Sequence, residues 1–203
     1  EKKCYKKVII GFPKYNGFYD PKFSNFLDPE LFNYKYRKIW RSLHENYFEQ
    51  NRNDQKINLL FLNRPATNHR SILNYNQIIS AIKSVYPDWN IVYQDFANES
   101  LYNQIKLVLK TDILITIHGS AETHMLLLND NSLTIEIMPY LLDKFINLYS
   151  NLANMTKLKF YEFHASKSSS IPKRRKWISE YEINPKVLCN GIYRNNIRNQ
   201  NIV

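Results

Sequence analysis

Glycine is scarce: the 203 residues include four, Gly11, Gly17, Gly119 and Gly191. A dinucleotide fingerprint and a Walker A loop both need clustered glycines, so neither is present. No Asp-x-Asp triplet occurs, which removes the common metal clamp for a nucleotide diphosphate. Two cysteines, Cys4 and Cys189, are too few for a zinc cluster or a disulfide scaffold. They suffice for one disulfide, or each pairs with sequence outside this chain. No run of about 18 apolar residues appears, so no membrane span is expected here. The chain opens at Glu1 without Met or a leader pattern. It is therefore read as a piece of a longer product whose anchor or leader lies upstream.

What remains is globular. Hydrophobic residues make up 44% and charged residues 23%, which argues against wholesale disorder. A chain of this length makes one large domain or two small ones and buries roughly 70% of its unfolded surface. The net charge of +10 is uneven. Residues 51–156 are near neutral, whereas 157–203 carry ten basic and three acidic residues. The run Lys173-Arg174-Arg175-Lys176 follows a Ser-rich stretch and reads as a solvated loop. An anionic partner for it, nucleic acid included, is the less favoured reading. The abundance of Asn, Ile, Lys and Tyr fits a compositional bias instead.

The middle of the chain alternates apolar runs with amphipathic segments. Strands are expected over 57–63, 90–96, 112–118, 133–138 and 157–163. Helices are expected over 74–86, 101–110 (capped by Ser100), 119–128 and 141–155. That alternation implies βαβ units: an α/β, Rossmann-like parallel sheet with helices on both faces. Residues 1–56 read as a lead-in. It has a strand near Cys4–Gly11, a helix opened by Asp28-Pro29-Glu30 and a polar linker over 50–56. Residues 57–203 read as the sheet domain with a basic tail, and a last helix is expected beyond Pro185.

Ligands of open parallel sheets bind beyond the carboxyl ends of the strands. There the sequence places Arg64 and Arg70, then Asp95, then His118-Gly119-Ser120 opening a helix. Helix-start N–H groups beside a glycine suit a phosphate, and a guanidinium can grip the same phosphate. Taken singly, each is as readily a turn or a surface arginine. His118 and His124 could share a site but lack a third ligand. Glu136 shares a strand face with Thr134 and Met138. A Glu inside an apolar strand is costly unless paired or on an exposed edge.

The ordered set Arg64-x5-Arg70-Ser71-Ile72-Leu73-Asn74, Gln104, Thr111–Ser120 (TDILITIHGS) and Ile135-Glu136-Ile137-Met138-Pro139 resembles glycosyltransferase family 61. The resemblance runs from about 57 to 163, and Cys4-Tyr5-Lys6-Lys7 resembles a segment preceding the family's linker. It implies a GT-B fold, of which 57–203 would be the C-terminal, donor-binding lobe. It also implies inverting transfer of a sugar (GlcNAc, xylose or similar) from a UDP-sugar to a protein or glycan hydroxyl. Arg64, Arg70, Asn74, Gln104, His118, Gly119, Ser120, Ala121, Thr123 and Glu136 become the expected donor-binding set. Glu136 would hold the ribose or position the His118 loop. His118 and Glu122 are the candidate catalytic groups, with no general base assigned. Glu122 stands where the family has an apolar residue and brings an anion to the helix start. No metal ligands are assigned; Mn2+ or Mg2+ are the ions the reading admits. The secretory lumen, endoplasmic reticulum or Golgi, is the implied location, with oxidised cysteines and glycosylation acceptors at Asn98 and Asn154. The competing readings are a catalytically inactive nucleotide-binding lobe and a basic nucleic-acid-binding module.

Overall fold

The computed structural model describes residues 37–39, 41–42, 56–65, 70–140, 148–156 and 158–166. Five strands form one sheet: β1 (Asn58–Asn63), β2 (Asn90–Asp95), β3 (Ile113–Ile117), β4 (Leu133–Met138) and β5 (Lys159–His164). Their order is β2-β1-β3-β4-β5 and every pairing is parallel. Between them lie α1 (Tyr75–Val85), α2 (Leu101–Leu109), a 3₁₀ helix (Ser120–Leu127) and α3 (Leu148–Thr156). The expected α/β, Rossmann-like architecture is therefore the one observed.

Side chains of successive strand residues point to opposite faces, so each strand feeds two cores. Leu59 and Phe61 of β1 join Ile115 and Ile117 of β3 under Ile78, Ile79 and Ile82 of α1. Leu60, Leu62 and Leu114 point the other way. They meet Val108 of α2, Met125 of the 3₁₀ helix and Leu152 of α3. The Ser100 hydroxyl accepts from the Asn103 N–H and caps α2, as its position predicts.

The segment after β3 differs from the expected helix in type. It is 3₁₀, and its three-residue repeat stacks Glu122, Met125 and Leu128 in one fully buried row against the sheet. Two side chains fold back onto carbonyls three residues earlier, Thr123 Oγ1 to Ser120 and His124 Nδ1 to Ala121. Such local bonds compete with α-helical pairing.

The lead-in contributes more than a tether. Residues 37–39 and 41–42 are helical. Arg37 donates to the Leu128 carbonyl and to Asp130, and Arg41 to the Leu127 carbonyl and Asn129. The expected strand near Cys4, most of the Asp28 helix, the 50–55 linker, the Lys173–Lys176 run, both cysteines and the final helix lie outside the described residues. So do 141–147 of the expected 141–155 helix.

Candidate functional site

In a sheet ordered 2-1-3-4-5, the chain steps outward from β1 to β2 and then crosses back over β1 to β3, reversing direction. The switch point, the crevice where open α/β sheets bind ligands, therefore lies between the carboxyl ends of β1 and β3. Arg64 follows β1 and Gly119 follows β3, so the fold brings them together at that point. A Cβ built on Gly119 would lie 2.2 Å from Arg64 Nη2. Gly119 has extended backbone (φ 162°), so glycine is needed here for the close approach and not for its conformation. Arg64 is half-buried and, among the described residues, its guanidinium meets no hydrogen-bond acceptor or carboxylate.

The loop carrying Arg64 is held by residues not singled out from sequence. The Asn63 amide clasps Ile72 in both directions: Nδ2 donates to its carbonyl at 2.8 Å, and Oδ1 accepts from its N–H at 2.9 Å. Ser71 Oγ donates to the Arg64 carbonyl at 2.7 Å. Arg70 closes the loop with φ +65°, a left-handed conformation that a non-glycine residue adopts at some cost. The signal was available in retrospect, because Asn63 is an amide ending an otherwise apolar strand and Ser71 lies inside the Arg-rich motif. Asn74 opens α1 through its carbonyl, which accepts from Gln77 at 3.0 Å; its side chain makes no capping bond.

His118 continues β3 onto the same face as Glu136, and its Nδ1 is bonded to Glu136 Oε1. Both are buried, and the edge of the His118 ring meets Tyr149 at 5.2 Å between centroids. A carboxylate on one ring nitrogen fixes the direction of the other.

Glu122 turns inward. It is 0% exposed, and neither carboxyl oxygen meets a hydrogen-bond partner. Burial, and then the negative charge of Glu136, push its carboxyl well above the usual carboxylate range. Its ligand atom, with those of His118 and Glu136, lies within a sphere of contacts no wider than 4.8 Å. His124 is not in that group. Burial lowers its pKa, Nδ1 is bonded to the Ala121 carbonyl at 2.9 Å, and its ring faces Phe96.

The remaining expected residues divide. Ser120 is exposed at the helix start, while Ala121 and Thr123 are half-buried. Gln104 is not drawn into the crevice; its amide donates to the carbonyls of Phe96 (3.1 Å) and Glu99 (2.8 Å) and secures the turn after β2. Asp95 caps that turn through the Ala97 N–H. A groove of about 740 Å³ lies at the amino ends of the strands, lined by Asp112, Asp130, Ser132 and Lys159 among others. It is on the opposite edge of the sheet from Arg64 and Gly119.

Comparison with known proteins places these features in a family. The Glycosyltransferase 61 family model matches residues 23–135, a span that includes Arg64, Gln104 and His118–His124. The EGF domain-specific O-linked N-acetylglucosamine transferase of Pan troglodytes is 32% identical over 93 residues, 45% of this chain and 18% of the relative. That of Bos taurus is 34% identical over 83 residues, 40% and 16% of the two chains. That of Mus musculus is 29% identical over 93 residues, again 45% and 18%. The matched stretch thus spans less than a fifth of these relatives' length.

Proposed function

The chain belongs to the glycosyltransferase 61 family, and from that premise we propose that residues 57–203 are the donor-binding lobe of a GT-B enzyme. It transfers a sugar from a UDP-sugar to a protein or glycan hydroxyl with inversion. The single observation that carries this reading is the Arg64 guanidinium, without an acceptor among the described residues, lying over Gly119 at a helix start. A cation at the positive end of a helix is electrostatically unfavourable alone. An anion that reaches both the guanidinium and the Ser120 and Ala121 N–H groups removes that conflict, and a diphosphate has the charge and span to do so; the Glu122 N–H is already bonded to the Gly119 carbonyl at 2.9 Å.

In this mechanism the acceptor hydroxyl attacks the anomeric carbon in line and the nucleotide diphosphate departs. Arg64 and the helix start stabilise the growing charge on the leaving group. The Asn63–Ile72 clasp and Ser71 hold Arg64 in place. His118, tied to Glu136, is a positioning residue that sets the approach of Gly119. The general base is read as coming from sequence outside this lobe. The relatives' names make N-acetylglucosamine the first donor sugar to test and an EGF-type domain the first acceptor. Such a transferase works in the secretory lumen; no described helix is long and apolar enough to cross a membrane.

Calorimetric titration of the longest expressible chain with UDP, with GDP as control and with and without Mn2+, tests the reading. Arg64→Ala should weaken UDP binding at least tenfold. A folded protein that does not bind UDP overturns the proposal. Donor binding with neither transfer nor donor hydrolysis would make the lobe a binding module.

A further inference from the structure

The side chains of His118, Glu122 and Glu136 are buried, whereas Ser120 at the helix start is exposed. The buried residues come from three elements: the end of β3, the first turn of the 3₁₀ helix and the middle of β4. All three are at most 3% exposed. Two carboxyl groups and an imidazole within 4.8 Å, sealed from water, need a positive partner if both carboxyls are ionised. The His118–Glu136 bond accounts for one carboxyl. It leaves Glu122, wholly buried, with two oxygens that meet no hydrogen-bond geometry among the described residues; the Glu136 carboxyl and the Gly119 backbone are polar groups that act on it. Glu162, paired with Glu136 in the β4–β5 register, adds a further negative charge nearby. Its own partner is His164, at 3.3 Å on the strand edge. No Lys or Arg is bonded to the cluster among the described residues.

We propose that His118, Glu122 and Glu136 form a binding site for a divalent transition-metal ion, of which Zn2+ is the best match. One imidazole and two carboxylates are a donor set that this class of ion accepts, and Mg2+, which prefers an all-oxygen shell, matches it less well. Donors about 3.3 Å apart suit a tetrahedral Zn2+. The His118 Nδ1···Glu136 Oε1 bond gives way to the ion when it enters. Bound there, the ion ties the first turn of the 3₁₀ helix to β3 and β4. It then holds the Gly119 loop against Arg64 and adds fixed positive charge behind the helix start. Zn2+ binding here requires no nucleotide, and because both ligands act on the Gly119 segment each should raise the other's affinity.

The test is calorimetry and thermal melting of the chelator-stripped full chain with Zn2+ alone, then with Mn2+ and with Mg2+, without nucleotide. One Zn2+ per chain should bind and raise the melting temperature. Glu122→Gln and Glu122→Leu should each weaken binding more than tenfold. Glu122→Leu replaces a buried carboxyl by a side chain of similar size, so it should fold without metal. X-ray absorption should show nitrogen and oxygen ligands and no sulfur. Failure of the folded wild type to bind Zn2+ or Mn2+ overturns the site and leaves a proton as the neutralising partner of Glu122. Unchanged binding in Glu122→Leu, or a sulfur ligand, places the ion elsewhere and overturns it equally. Loss of UDP binding with Zn2+ binding intact would sink the donor reading alone, and the reverse would sink this one alone.

Discussion

Arginines sit at both ends of the 3₁₀ helix, and they behave differently. At its carboxyl end, Arg37 and Arg41 donate to the Leu128 and Leu127 carbonyls and to Asp130 and Asn129. Terminal carbonyls carry partial negative charge and lack partners within the helix, so guanidinium groups belong there. At the amino end, Arg64 lies over Gly119 with no acceptor among the described residues, against the sign of the helix dipole. The same residue type thus finds carbonyl and side-chain acceptors at one end and, among the described residues, none at the other, although the buried Arg37 Nε itself lacks a partner. A partnered guanidinium marks a structural clamp, and a cation without an acceptor beside helix-start N–H groups marks a place for an anion.

The sharpest way to break this comparison is to exchange the expected consequences. Arg37→Ala removes a guanidinium that is 1% exposed and strands a buried carbonyl. It should cost about 2–4 kcal/mol in urea denaturation, with UDP affinity little changed. Arg64→Ala should do the reverse. It should lower UDP affinity ten- to a hundredfold while changing stability by about 0.5 kcal/mol or less. If Arg64→Ala unfolds the protein, the two ends are alike and the distinction fails.

Gly119→Ala separates the glycine from the arginine. The added methyl would meet the far end of the Arg64 side chain, which can swing aside, so the fold should survive. UDP binding should fall in the same direction as in Arg64→Ala, by a smaller factor, and the double variant should be no worse than Arg64→Ala. Additive losses would mean that the methyl blocks the anion itself.

The smallest effect concerns acid. The Arg37 hydrogen bond, and then its charge with those of Lys38 and Arg41, hold the Asp130 carboxyl below its usual 3.8 against the opposing effect of burial. An acid whose folded pKa is depressed stabilises the fold above its unfolded value, and that gain is lost as pH falls through the folded value. Stability should therefore drop below about pH 3.8 in a way that Asp130→Asn removes. Because the Asp130 side chain is 59% exposed, solvent screens the pair and the drop should be modest. Denaturation midpoints followed between pH 2 and 6 would measure it.

The five strands and their parallel arrangement were legible because their apolar runs are short, spaced by amphipathic segments and rich in Ile and Leu. The proximity of Arg64 and Gly119 was legible at the level of strand ends, since both follow neighbouring strands. The 3₁₀ geometry was not. A three-residue and a 3.6-residue repeat are hardly distinguishable over eight positions, and contact with the sheet decided between them. Gln104 fits the family motif, yet its amide is used on the turn after β2. A side chain's partner within reach depends on the loop packed beside it, which no spacing rule encodes. The Asn63 clasp was missed for the same reason.

The order of elements along the chain and the parallel α/β sheet follow from the sequence alone, whereas the strand order 2-1-3-4-5 came from the structure. Alternating hydrophobic patterns and short connections leave few other ways to bury these segments. Only the tertiary structure decided which charges are partnered. It brought His118, Glu122 and Glu136 from three elements into one dry cluster, and it gave Arg37 acceptors while leaving Arg64 none. Pairing depends on distances of a few ångströms between residues as far as 93 positions apart in the chain, and those distances exist only once the helices have settled on the sheet.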